Sequence, residues 1–326
     1  MLVINRNSAE SLEIGEYYAE KRGIPASNIV RVACRSEDNL PNEEFGSQLV
    51  NPVRQAIDAA PGRIDYIVTT KGVPLRIDND GGWSVDAHLA TMRMSLKPIV
   101  RPEADQILAA QSPYFNKREP FDSSKFGFYI VTRLDGHTVR DVRKLVDSAL
   151  AARPNKGVFL FDQASDKAEG GFGDLQEAMA KAAQGLKAKG FTVTLDSGPE
   201  FAHPPDPLAG YVSWGSNDGR FSLAAYRSLR FAPGALAETF VSTSGRTFRP
   251  VDGGQSLIAD LVSQGVTGVK GYVSEPYTFA LARPEILFDR YTSGFTLGES
   301  FAMASPVLKW KDVVVGDPLC APYAAP

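Results

Sequence analysis

Short apolar runs alternate with longer amphipathic stretches along most of the 326-residue chain. The opening "LVINRNS" reads as a strand entering an Asn/Ser turn. In "AESLEIGEYYAEKRG", Leu12, Ile14, Tyr17, Tyr18 and Ala19 form one helical face, and Gly23 is the stop. The pattern predicts strands at 29–33, 65–70, 127–132, 157–162 and 192–195, with helices across 42–59, 138–152 and 174–189 between them. Further on it predicts extended chain at 210–212, a helix at 223–229 and a strand at 238–242. A helix at 255–264, a strand at 268–273 and a last helix at 298–304 complete it.

Residues 78–125 break this rhythm, with Gly81-Gly82 and four prolines and only one short helix around 85–94. They read as an irregular insertion within one domain covering 1–326. Strand-helix-strand order with apolar strands predicts an α/β fold, a mostly parallel sheet flanked by helices on both faces. Ligands of such sheets bind beyond the carboxyl ends of the strands.

Composition narrows the function only by exclusion. With 43% hydrophobic and 22% charged residues the chain is globular and needs no metal or cofactor to fold. A net charge of −3 and an acidic pI argue against nucleic acid as a partner, and no apolar run is long enough for a membrane span. Cys34 and Cys320 are the only cysteines; pairing them would tie the chain ends together, and two inert thiols are the favoured reading. The chain opens directly on a strand, so the expectation is an exported protein whose leader has been removed, with a cytoplasmic location left open.

Four expected strand ends carry polar sets: Thr69-Thr70-Lys71, Ser213 to Asp218, Ser242 to Thr247, and Ser274-Glu275 with Tyr277. Ser, Thr, Asn and Gly are ordinary turn residues, so each set alone has a structural explanation. Together on one edge they point to a common pocket. The familiar catalytic templates fail. No GxSxG elbow or P-loop is present, "EGGFGD" at 169–174 lacks dinucleotide spacing and reads as a flexible loop, and His88, His137 and His203 sit outside these ends.

Read in series, "DYIVTTKGVPLRI", "YVSWGSND", "ALAETFVSTSGRTF", "GVTGVKGYVSEPY" and "WKDVVVGDPLCAPY" resemble a bacterial family, often exported, that has no assigned function. "FYIVTRLDGHTVRDVRKLVDSAL" and "VVVGDPL" more distantly resemble gingipain-type cysteine peptidases, which implies a caspase-like fold with a His-Gly strand end and a Cys strand end as its dyad. On that pattern Trp214 stands at the histidine position and Ser242 or Ser244 at the cysteine position, while Asp86 matches a rim aspartate. Indole is a hydrogen-bond donor only and takes no proton, and a serine without a base is a poor nucleophile.

The resemblance therefore implies a caspase-like domain without peptidase chemistry, binding a peptide or glycan in a strand-end cleft. Trp214 is the expected stacking wall. Ser213, Ser216, Asn217, Ser242 and Ser244 are the expected hydrogen-bond partners, Arg246 and Glu275 the charged anchors, with Thr247, Tyr277, Lys71 and Asp86 on the rim. Two alternatives stand beside it. One is a hydrolase using Ser242 or Ser244 with Glu275 or Asp218, or Lys71 as an activated amine. The other is a structural module for surface assembly.

Overall fold

The structure is a computed structural model and describes residues 1–78, 82–155 and 157–325. In chain order its strands are β1 (Leu2–Asn5), β2 (Ile29–Val32), β3 (Asn39–Pro41), β4 (Tyr66–Thr70), β5 (Arg76–Asp78) and β6 (Ile130–Leu134). They continue as β7 (Phe159–Asp162), β8 (Val193–Asp196), β9 (Leu208–Ser213), β10 (Phe231–Thr239), β11 (Gly268–Tyr272) and β12 (Asp312–Gly316). Ten form one sheet in the order β2-β1-β4-β6-β12-β11-β10-β9-β7-β8, and β3 and β5 make a separate pair. Parallel pairing runs through β2-β1-β4-β6 on one side and β11-β10-β9-β7-β8 on the other. Between the two blocks lies β12, antiparallel to β11 and meeting β6 at Val315 and Arg133.

Side chains alternate across the sheet, so both faces carry core. Phe159 and Phe161 of β7 join Trp214, Phe240 and Tyr272 on one face, beneath the helices Gly170–Ala188, Pro284–Tyr291 and Leu297–Ala304. Leu160, Tyr211, Ala237 and Val269 face the other way, under Val139–Ala151 and Ile258–Ser263. The two cysteines are unpaired and buried in separate clusters.

Several expected elements shift, each for a physical reason. The strand expected at 238–242 is β10, which runs Phe231–Thr239 and absorbs Pro233 and Gly234 where its register against β9 changes. The helix expected at 255–264 is only Ile258–Ser263, because Gln255 and Ser256 bond to the turn after β9 instead. "EGGFGD" is not a loop: the helix Gly170–Ala188 begins inside it. Its glycines serve close approach, since a Cβ at Gly171 would lie 2.3 Å from Thr278 Oγ1 and one at Gly173 2.5 Å from the Ala168 carbonyl. The helix Pro284–Tyr291 and β12 were not anticipated. Within 78–125, helices occupy Val85–Ala90, Ala104–Ala109 and Ser123–Phe126, while 79–81 lie outside the described residues.

Cross-contacts bring the carboxyl ends of both blocks to one edge. Arg76, beyond β4, donates to the carbonyls of Arg246 and Val273, and Ser274, beyond β11, donates to that of Gly82. Beneath this edge Arg133 on β6 is fully buried. Its Nε and Nη2 donate to both oxygens of Asp86, its Nη1 to Asp135, and the remaining N–H groups to the carbonyls of Val73 and Pro74. Removing one partner from such a buried group costs about 3–5 kcal/mol, because the others keep their charge without compensation. Arg133→Met is expected to lower unfolding free energy by about that amount in urea titration, whereas Arg93→Met, in an exposed ion pair, changes it by under about 1 kcal/mol.

Candidate functional site

The chain reverses its order along the sheet at β1/β4 and again at β7/β9, the two places where a parallel sheet opens a crevice at its carboxyl edge. The expected residues of the turns after β9 and β10 lie around the second. Beyond β9, Gly215 adopts φ +48°, and a Cβ there would fall 2.8 Å from both Ser256 Oγ and Val241 Cγ2, so only glycine makes this turn. The turn sends Trp214 inward. It is 1% exposed, its Nε1 donates to Gln176 Oε1 at 2.9 Å, and its ring packs edge-on against Phe172 and Phe240 at 5.5 and 5.0 Å. The expected stacking wall is therefore a core side chain, and its burial is set by the helix that begins within "EGGFGD".

The turn after β10 locks onto the turn after β9 through residues 253–256. Gln255 accepts from the amide and hydroxyl of Thr243 and donates to Asn217 Oδ1. Ser216 and Ser256 exchange two backbone-to-hydroxyl bonds. Asn217 Nδ2 donates to the Phe240 carbonyl, and Ser213 Oγ accepts from the Gly215 amide. Arg246 donates to the carbonyls of Thr243, Gln255 and Gly253, so this expected anchor clamps its own loop. Burial and the neighbouring Arg76 push its pKa down. Thr247 is buried and accepts from the Arg249 amide. Ser244 is buried against Gly271 and its hydroxyl has no partner; Ser242 is half-buried and carries no side-chain bond among the described residues.

Among the described residues no histidine bonds a hydroxyl of these turns. His88 bonds the Ser84 carbonyl, stacks on Trp83, and is pushed down to about 4 by burial and Lys309. His137 bridges the Phe248 carbonyl and Asp260, and His203 is exposed. None of the three is bonded to a serine hydroxyl or a thiol. Burial pushes Cys34 up to about 12 and Cys320 to about 11, so neither is a thiolate near neutrality.

Asp218 is also engaged. Arg220 folds back on it through Nε and Nη2, reaches Asp162 at the end of β7, and donates to the carbonyls of Gly198 and Gln163. Asp162, Arg220, Gln176, Gln255 and Ser256 were all missed as sequence candidates. Asp162 was signalled by its place at a strand end and Arg220 by standing two residues after Asp218, whereas Gln176, Gln255 and Ser256 act from segments distant in sequence.

The remaining candidates lie apart. Lys71 donates to the Gly136 carbonyl, pairs with Asp135 at 3.6 Å, and lines a cavity of about 260 Å³ beyond β1 and β4 with Asn7, Ser8 and Arg249. Asp86 serves Arg133 and faces a separate cavity of about 60 Å³. Glu275 is exposed and accepts from the Tyr277 amide. Tyr277 takes φ 59° and ψ 160°, a conformation that costs about 1–3 kcal/mol in a non-glycine residue. Trp310 Nε1 on the Pro276 carbonyl and Lys311 Nζ on the Glu275 carbonyl hold it there. Among the described residues no three His, Cys, Asp or Glu side chains are grouped to hold a metal ion, and no helix is long and apolar enough to cross a membrane.

This architecture is the caspase-like α/β fold of gingipain-type cysteine proteinases. The Arg-specific cysteine proteinase gingipain R superposes with a TM-score of 0.54 over 98% of this chain and 77% of its own, at 12% identity. A second solved structure, described as a protease, gives 0.56 over 99% and 78%, at 11% identity. At these identities the likeness is one of fold. No protein-family model matches the chain, and no curated protein does.

Burial pushes Asp162 up to about 7 despite the Arg220 guanidinium, while the unfolded carboxyl titrates near 3.8. Between those values the folded state holds a proton that the unfolded chain has released, so this group's contribution to stability is present at the acid end and is lost as pH rises through about 7. Denaturation midpoints followed from about pH 4 to 8 are expected to show that decline, and Asp162→Asn is expected to make it shallower, the remainder coming from Glu238, which burial pushes up to about 8.

Proposed function

We propose that the protein is a caspase-fold binding module without peptidase chemistry, which takes a peptide or glycan at the carboxyl edge of its sheet. The observation that carries this reading is the state of the expected dyad positions. Trp214 spends its one N–H inside the core, and the Ser244 hydroxyl is buried without any base beside it. A nucleophile needs an adjacent base or a depressed pKa, and neither the serines nor the thiols have one. The hydrolase alternative is opposed by the same geometry. Asp218 is saturated by Arg220, Glu275 caps the Tyr277 turn, and Lys71 is tied to Asp135 and Gly136. Exposed aromatic surface at Tyr277 supports ligand contact at this edge. One domain spanning 1–326 and an exported location belong to the same proposal, the latter resting on the sequence resemblance.

Incubation with pooled peptide, ester and glycoside substrates is expected to give no turnover above a heat-denatured control. A thiol-reactive probe is expected to label Cys34 and Cys320 only after unfolding. Turnover that disappears in Ser242→Ala or Glu275→Gln would overturn the reading. Fractionation of source cells that finds the full-length protein in the cytoplasm would remove the export element.

A further inference from the structure

Beside the lock between the turns after β9 and β10 the chain leaves a cavity of about 60 Å³. One wall is the helix Leu223–Ser228 with Phe221 just before it, and the other is the loop through Val251, Gly253 and Gly254. The walls are fixed relative to each other. The Tyr226 hydroxyl donates to the Leu257 carbonyl at 3.1 Å, and Phe221 packs on Phe201 and Tyr226 with ring centroids 5.3 and 5.7 Å apart. Eight large hydrophobic side chains are exposed among the described residues, and two of them, Leu223 at 43% and Val251 at 37%, line this one cavity. A single exposed apolar residue is ordinary, but two that share a concavity with Phe221 give it apolar walls open to water.

The polar end is a cation with unused donors. Arg227 lines the same cavity, its side chain is about half exposed, and its Nε donates to Asp260 Oδ1 at 3.2 Å. Its Nη1 and Nη2 have no partner among the described residues. The single carboxylate in the lining, Asp260, is 6% exposed and also bonds His137, so it is committed inward. Gly253 and Gly254 take φ +88° and +81°, and their amides make no hydrogen bond among the described residues. A Cβ on Gly253 would meet nothing within 4 Å, so the left-handed backbone and not crowding calls for glycine there. The result is a bare backbone wall with free N–H groups beside a guanidinium.

We propose that this cavity captures the carboxyl-terminal residue of a peptide, with a branched aliphatic side chain between Leu223, Val251 and Phe221 and the terminal carboxylate on the Nη atoms of Arg227. Size limits the side chain. A water takes about 30 Å³ and a cavity that holds benzene about 150 Å³, so about 60 Å³ suits valine, leucine or isoleucine and not an aromatic ring. A guanidinium binds a carboxylate through two parallel N–H groups, and an apolar surround strengthens that pair. A glycan is a poor match, since its hydroxyls would meet aliphatic walls and a carboxylate already in use. This proposal deepens the binding-module reading by choosing peptide over glycan, and rests on it.

The test titrates the full chain with acetyl-Ala-Ala-Leu as free acid and as amide, with acetyl-Ala-Ala-Asp, and with isovalerate, read by calorimetry and amide chemical shifts. The free acid ending in leucine is expected to bind with a Kd below about 1 mM and to shift amides of residues 221–227 and 251–257. Its amide and the peptide ending in aspartate are each expected to bind at least about tenfold more weakly, one losing the charged contact and the other the apolar one. Val251→Asp is expected to weaken the free acid at least about tenfold, and Arg227→Gln to remove the difference between acid and amide. Melting temperatures report whether each variant folds, and Leu223→Asp on the opposite wall stands in for Val251→Asp where it does not. Equal affinity for acid and amide, or unchanged affinity in the wall variant, overturns the proposal. Isovalerate that saturates the same amides with the peptide's affinity makes this a small-acid site and overturns the peptide assignment. If peptides or cellotetraose bind but shift amides elsewhere, the subsite falls and the binding-module reading stands. If neither class binds at about 10 mM, both fall.

Discussion

A guanidinium shut away from water must find an acceptor for each of its five N–H groups, and Arg133 finds all five within one shell. The acceptors come from the turn after β4, the end of β6 and the helix Val85–Ala90, so satisfying this one side chain fixes three separate segments. Burial disfavours its charge, and the carboxylates of Asp86 and Asp135 more than offset that penalty. Asp135 carries the opposing strain: burial pushes it up although Arg133 and Lys71 both favour its ionised form. Asp86, which looked like a rim residue in the sequence, is part of this internal support. The Phe248 ring stands 6.0 Å from the guanidinium, which links the same centre to the chain beyond β10.

Above that support, the two halves of the sheet edge differ in how they use polar residues. The turns after β9 and β10 turn theirs inward: Ser216, Asn217, Thr243, Arg246, Gln255 and Ser256 mostly satisfy one another or nearby backbone. The segment after β11 does the reverse, leaving the Tyr277 ring exposed and using Glu275, Lys311 and Trp310 to hold the turn that carries it. A self-satisfied turn and a propped, exposed ring have similar compositions. What separates them is which partners the rest of the chain delivers, and those partners are far away in sequence.

That separation explains what the sequence made legible. Strands β4 and β7 are mainly apolar runs whose positions followed from pattern, whereas β6, which carries Arg133, lies two to three residues later than expected. The strand β10 was displaced because Pro233 and Gly234 disguise its first half, and Pro284–Tyr291 was missed because burial on most sides narrows its polar stripe to Glu285 and Asp289. The edge was legible as a place, since turn residues collect at strand ends in any parallel sheet. The role of Trp214 was not. Its burial depends on Phe172, Gln176 and Phe240, and the glycines that bring Phe172 into position read locally as a flexible loop.

The inward tryptophan also limits what substitution alone could achieve at this edge. Two codon changes would place a histidine at 214 and a cysteine at 244, yet the imidazole would enter an aromatic core and the sulfur would lie under Gly271, closed to solvent. Burial would keep both groups neutral. For two such groups to meet a substrate, the turn at Gly215 would have to open and the helix bearing Phe172 to withdraw, each step weakening the fold. Exchanging two side chains therefore does not by itself make a working pair here, because the backbone and core around them would have to be rebuilt as well.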